Sequence, residues 1–158
     1  MKILFVCTGN TCRSPMAEGL AKGISKEFKL DINFLSAGTH AAVGQGATPV
    51  AVDVLKKMFQ TDISAHRARQ VQKEFLEVSD LVLTMTEAQK EQLIKLYPEY
   101  KDKVASLAEF ASEKQDIADP FGQSAEVYAQ TAAMIESYFT KGLLKILSQT
   151  VVNNLDLN

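Results

Sequence analysis

Ile3 to Val6 is an unbroken apolar run with no polar alternation, the pattern of a strand covered on both faces, and a central parallel strand is predicted there. A turn at Gly9-Asn10 follows. Ser14 is placed to cap, and Pro15 to occupy the first turn of, a helix carrying Ala17, Leu20, Ala21 and Ile24. Its third position would be Ala17, so no capping box forms. A second strand is predicted at Ile32 to Ser36, then a loop rich in Gly, Ala and Gln from Gly38 to Ala47. Thr48-Pro49 opens a helix whose apolar stripe is Val50, Ala51, Val54, Leu55 and Met58. The third strand is Leu81 to Met85, after which Thr86 and Gln89 have capping-box spacing for a helix ending near Pro98. Val104 to Leu107 reads as a short fourth strand, and 108–122 as a polar loop. Ser124 then caps a long helix with Val127, Met134, Ile135, Tyr138 and Leu143 on its apolar side. Residues 151–158 are expected to fray.

Strand and helix alternate four times, which predicts an α/β fold: a single-domain three-layer sandwich with a four-stranded parallel sheet, flavodoxin-like or Rossmann-like, and helices on both faces. In such sheets ligands bind beyond the carboxyl ends of the strands, where strand order reverses. Cys7 sits at one such end.

Composition narrows the field. The 158 residues suit one domain, placed at 1–150, and 46% apolar with 23% charged residues is ordinary for a globular chain. A net charge of −2 speaks against a nucleic-acid partner, which usually calls for a basic surface. No apolar run reaches the roughly 20 residues that span a bilayer, and Lys2 to Val6 is too short for a secretory h-region. A cytoplasmic monomer with no membrane partner is expected. There its two cysteines, Cys7 and Cys12, stay reduced and are better suited to reactivity than to stapling.

The chemistry concentrates in Cys7-Thr8-Gly9-Asn10-Thr11-Cys12-Arg13-Ser14. A loop curled between a buried strand and a helix N-terminus aims several backbone N–H groups inward and makes an anion pocket. Gly9 and Asn10 tolerate the left-handed backbone that such a curl demands. A cysteine on its floor would have its thiolate stabilised by the amides, the helix dipole and Arg13, and so act as a nucleophile at neutral pH. Arg13 offers a planar fork for two phosphoryl oxygens, which a lysine could not. Each piece alone is ordinary, since a lone cysteine after a strand is usually a small buried hydrophobe and Gly-Asn alone is a turn. The conjunction of strand, Cys, five residues, Arg, Ser-Pro and a distant Asp-Pro is what points to catalysis.

Cys7-x5-Arg13-Ser14-Pro15 near the N-terminus, Ser36-Ala37-Gly38-Thr39, Ala65-His66-Arg67-Ala68-Arg69-Gln70-Val71 and Asp119-Pro120-Phe121-Gly122 together resemble the low-molecular-weight protein tyrosine phosphatase family. The resemblance implies a protein phosphatase working through a phosphocysteine intermediate on phosphorylated proteins, with no cofactor. It assigns Cys7 as nucleophile, Arg13 as phosphate clamp and Asp119 as general acid and base. The phosphate would lie on Thr8, Gly9, Asn10, Thr11, Cys12 and Arg13. Asn10, Ser14, Ser36 and His66 would form a network bracing the loop. A carboxyl over the site can indeed deliver a proton to the leaving atom and then take one from water, so the chemistry of Asp119 agrees. The family also uses a vicinal cysteine for redox protection, which would pair Cys12 with an oxidised Cys7.

Rival readings are weaker. A thioredoxin-coupled arsenate reductase shares the loop but places further cysteines after the third strand, where Leu83 to Gln89 has none. A non-catalytic phosphate-binding module would not need both Cys7 and Asp119. His40 and His66 lie too far apart to suggest a metal site. For substrate, phosphoarginine is favoured and phosphotyrosine is the alternative. Thr11 resembles the residue of the protein arginine phosphatase branch, where tyrosine-directed members commonly carry isoleucine. Phe121 supplies one aromatic where eukaryotic tyrosine-directed members carry a pair of tyrosines.

Overall fold

The computed structural model describes residues 1–155, with side chains to Thr150, so the loose end expected at 151–158 lies outside the fully described residues. Four strands form one parallel sheet in the order β2-β1-β3-β4: β1 (Lys2–Cys7), β2 (Asn33–Gly38), β3 (Leu81–Thr84) and β4 (Val104–Ser106). The helices are α1 (Arg13–Glu27), α2 (Pro49–Phe59), α3 (Lys73–Val78), α4 (Glu87–Leu96), α5 (Leu107–Ala111) and α6 (Ala125–Leu155), with a 3₁₀ helix at Pro98–Lys103. The chain leaves β1 for β2 on one side and returns to β3 on the other. Strand order therefore reverses above the end of β1, where Cys7 stands.

The apolar run of β1 is explained by its two faces. Ile3, Phe5 and Cys7 point into a core shared with α1, α2, α5 and α6, while Leu4 and Val6 join Leu76, Val82, Leu93 and Val104 beneath α3 and α4. Phe5, Phe34 and Phe139 knit the larger core at ring-centroid distances of 5.6 to 6.1 Å. Among the described residues no helix is long and apolar enough to cross a membrane.

The fold class is as predicted, with local corrections. Helix α1 begins at Arg13 with Cys12 before it and no side-chain cap; Ser14, expected to cap it, lies inside the first turn, with its hydroxyl against Cys7 and Asn10. The expected polar stretch 108–122 opens with α5, closed by a capping box in which Ser106 accepts from the Glu109 N–H and Glu109 accepts from the Ser106 N–H. Helix α3 and the 3₁₀ helix were not expected. Met58, expected on the stripe of α2, is 63% exposed, while Ala51, Val54 and Leu55 are buried. The left-handed residue of the loop is Asn10 alone, at φ 55°; Gly9 does not use its freedom.

Gly142 lies inside α6, where glycine ordinarily costs about 1 kcal/mol against alanine. Here the Phe110 ring packs on its Cα, and a Cβ would run into Cγ, Cδ1 and Cε1 of that ring. Gly142→Ala should therefore lose about 1–3 kcal/mol of stability through overpacking rather than gain from helix propensity. Urea denaturation measures the sign directly, and a stabilised variant would overturn this account.

Candidate active site

Residues Cys7 to Arg13 curl so that their carbonyl groups are tied down on the outside. Cys7 O accepts from the Thr39 N–H, Thr8 O from the His40 N–H, Thr11 O from the Thr48 N–H and Cys12 O from the Met16 N–H, at 2.8 to 3.1 Å. Asn10 O accepts from His66 Nε2 at 2.8 Å, which fixes the proton on that nitrogen because a carbonyl can only accept. With the carbonyls held outward, the N–H side of the curl faces the centre, as an anion pocket requires. The end of β2 makes this possible. Gly38 donates to Arg69 O and accepts from the Val71 N–H, so residues 66–71 are drawn alongside the loop.

Asn10 is the hub. A left-handed asparagine costs roughly 1–2 kcal/mol of backbone strain, and here all its polar groups are engaged. Its Nδ2 donates to Ser14 Oγ at 2.8 Å, its Oδ1 accepts from the Arg69 N–H at 2.9 Å, and its own N–H donates to Cys7 Sγ at 3.2 Å. Ser14 Oγ accepts from Asn10, lies 2.9 Å from Cys7 Sγ and 3.5 Å from Ala37 O; once the sulfur is a thiolate it can only accept, and the Ser14 hydroxyl is then its donor at the shorter distance. Two donors thus converge on a buried thiol at the positive end of α1.

Arg13 is 6% exposed, and its Nη1 donates to Ile117 O at 3.0 Å. Its Nη2 lies 3.5 Å from Asp119 Oδ2. The Asp119 carboxylate is half exposed and accepts from the Phe121 N–H at 3.1 Å, which turns the loop over the pocket. Cys7, Thr8, Gly9, Thr11, Cys12, Arg13, Asp119 and Phe121 border one cleft of about 210 Å³. A thiol, a curled backbone loop, a guanidinium and a carboxyl therefore share one opening.

The low molecular weight phosphotyrosine protein phosphatase family model matches residues 2–153. This chain belongs to that family. It is 43% identical to the protein-arginine-phosphatase of Bacillus subtilis over 138 residues, 86% of this chain and 90% of that one. The solved low molecular weight protein tyrosine phosphatase from T. tengcongensis superposes with a TM-score of 0.90 at 46% identity, covering 92% of this chain and 99% of the other. A YwlE arginine phosphatase mutant carrying a phosphorylated active-site serine gives a TM-score of 0.88 at 40% identity, over 94% and 96% of the two chains. The protein is a cysteine-dependent protein phosphatase.

Within this phosphatase, Asn10, Ser14 and His66 stand where a brace for the loop was expected. Ser36 makes no direct bond to the loop: its hydroxyl donates to Glu18 Oε2 at 2.6 Å, one helical turn along α1 from Ser14, where the carboxylate is buried and needs donors. Two residues that local sequence reasoning passed over take part. Gln89 is buried, accepts from the Met85 and Thr86 N–H groups through Oε1, and donates through Nε2 to Thr8 Oγ1 at 3.1 Å. Its capping-box spacing was visible, its reach to Thr8 was not. The Tyr128 hydroxyl lies 3.4 Å from both Cys12 Sγ and Thr48 Oγ1, and burial pushes its pKa up to about 12, so it stays a phenol. Cys7 and Cys12 are both free thiols in this structure.

His66 is half-buried, and burial pulls its pKa below the ordinary 6.5 against the raising effects of the Asn10 carbonyl and Glu18. The unfolded chain therefore binds a proton more readily than the folded one. The associated stability is complete above pH 6.5 and is lost as pH falls from there toward the folded-state pKa. Between pH 7.5 and 5.5, as about one unit either side of the ordinary value, the urea midpoint of the wild type should fall further than that of His66→Gln, whose amide keeps a donor but does not titrate. Equal falls would dismiss His66 as the titrating brace.

Proposed function

We propose that Cys7 is the nucleophile of this phosphatase, Arg13 its phosphate clamp and Asp119 its general acid and base. The observation that carries the proposal is the pair of donors, the Asn10 N–H and the Ser14 hydroxyl, converging on Cys7 Sγ beneath a cleft that Arg13 and Asp119 overhang. In the first step the Cys7 thiolate attacks phosphorus, an S–P bond forms, and the bond to the leaving nitrogen or oxygen breaks as Asp119 hands it a proton. Loop amides of 8–13 and the Arg13 guanidinium take up the charge on the equatorial oxygens. In the second step Asp119 removes a proton from water, the water oxygen attacks phosphorus, and inorganic phosphate leaves with the thiolate restored. The phosphorylated serine described for the similar YwlE mutant fits a nucleophile at this position.

For substrate we favour phosphoarginine in proteins over phosphotyrosine. Thr11 places a hydroxyl on the cleft wall, and Asp119 can pair with a cationic guanidinium before protonating its nitrogen. Phe121 is 69% exposed and is the one aromatic residue bordering the cleft, which gives an incomplete slot for a phenyl ring. The 43% identity to a protein-arginine-phosphatase supports this choice, and the 46% identity to a tyrosine phosphatase keeps the alternative open.

Hydrolysis of para-nitrophenyl phosphate should vanish in Cys7→Ser. In Asp119→Ala, turnover should fall by about a hundredfold or more, most steeply for poor leaving groups. Residual Cys7→Ser turnover near that of the wild type would remove the nucleophile assignment. On matched peptides the wild type should prefer phosphoarginine, and Thr11→Ile should shift the preference toward phosphotyrosine. A wild-type preference for phosphotyrosine of about tenfold in kcat/KM, or ~1.4 kcal/mol in transition-state binding, would reverse the substrate assignment.

A further inference from the structure

A cavity of about 430 Å³ shares no lining residue with the catalytic cleft. It lies between α1, which contributes Gly19 and Lys22, and the segment 62–69. We propose that this cavity is a second anion site, which takes a phosphoryl group on Arg67 and Arg69.

Two observations carry it. First, Arg69 Nε is buried with no hydrogen-bond partner, and among the described residues neither Arg67 nor Arg69 has a carboxylate within ion-pair distance. A buried donor left without an acceptor is costly, and an oxyanion is the acceptor that a guanidinium fork matches best. Second, the carboxylates on the cavity wall are already engaged. Glu18 accepts from Lys22 and Ser36, both at 2.6 Å, and Asp62 accepts from the Ser64 N–H at 2.8 Å. Arg67 is held in place by Nη1 bonds to Ser64 O and His66 O, which leave its remaining N–H groups to a ligand. The cavity is larger than one phosphate ion fills, and Gly19, Ile63 and Ala65 provide an apolar floor for an organic body attached to the phosphoryl group.

The cavity also borders the brace of the catalytic loop. The Arg69 N–H and His66 Nε2 are donors to Asn10, so a ligand that orders residues 66–69 acts on the same segment that holds the loop.

The test uses the full chain with its catalytic loop filled by one equivalent of orthovanadate, and follows backbone amide shifts during titration with inorganic phosphate and, separately, phenylphosphonate. Saturable shifts are expected at Gly19, Ile63, Ala65 and Arg67, with affinity at least tenfold weaker in Arg67→Met/Arg69→Met. Arg67→Met alone, a surface change, gives an intermediate loss and stands in should the double variant not fold. Tighter binding of phenylphosphonate identifies a phosphate monoester as the ligand class; equal or better binding of inorganic phosphate identifies the free ion. Shifts confined to residues 8–13, or cavity shifts that survive both variants, would overturn the site.

Discussion

The structure depends on one constraint: the backbone of residues 7–13 must keep its carbonyl groups outside and its amides inside. A curl of this kind has no regular secondary structure to satisfy it, so each outward carbonyl needs a donor supplied from elsewhere. Thr39, His40, Thr48 and His66 supply those for Cys7, Thr8, Thr11 and Asn10, and Met16 of α1 supplies that for Cys12. The β2-to-α2 loop, which by composition is merely flexible, is thereby committed to a definite path. The parallel pairing of Cys7 with Gly38 brings that loop within reach, and Gly38 has to be small because an added Cβ would come 2.5 Å from the Thr8 carbonyl oxygen. The sheet, the glycine and the loop path serve one end, which is a concave ring of N–H groups over a sulfur atom.

Asn10 turns that ring into a chemically biased one. A left-handed non-glycine residue is tolerable only where its surroundings fix it, and its side chain and backbone do this by bonding in four directions at once. The same bonds pass through Ser14 to the sulfur and through Arg69 and His66 to the segment that follows α2. Polarity at the thiol and rigidity of the loop are consequently one property. A substitution at Asn10 would disturb both, and activity alone would not separate them.

How much of this was legible in the sequence follows from distance along the chain. The Cys7-x5-Arg13 loop, the Thr86–Gln89 capping box and the alternation of strands and helices are local patterns, and all are present in the structure. Ser14 and Ser36 were misjudged for opposite reasons. Ser14 looks like a helix cap by position, yet α1 already starts at Arg13, and the Ser14 oxygen accepts from the Asn10 side chain instead of from a backbone N–H. Ser36 falls in a motif shared with the family, yet the buried carboxylate of Glu18 claims it. Helix α5 could have been read from Ser106 and Glu109, whose spacing is that of a capping box; α3 has six residues and too little periodicity to announce itself. The reach of Gln89 to Thr8 and of Tyr128 to Cys12 spans 81 and 116 residues. No local pattern encodes such pairings, because they exist only once the sheet has brought the elements together.

The position of the loop in the chain also sets an order of events during synthesis. Cys7 and Arg13 leave the ribosome before the groups that complete their surroundings, which come from β2, from residues 66–69, from Gln89, from Ile117 and Asp119, and last from Tyr128 on α6. At ordinary elongation rates of about 5–20 residues per second, on the order of ten seconds separate the emergence of the Cys7 thiol from that of the Asp119 carboxyl. A chain interrupted before Ile117 carries Cys7 and Arg13 without the carbonyl and the carboxylate that face the guanidinium, and one interrupted before α6 still lacks the Tyr128 hydroxyl beside Cys12. The surroundings of Cys7 and Arg13 are therefore assembled in stages, and they are complete only once residues from both ends of the chain have met.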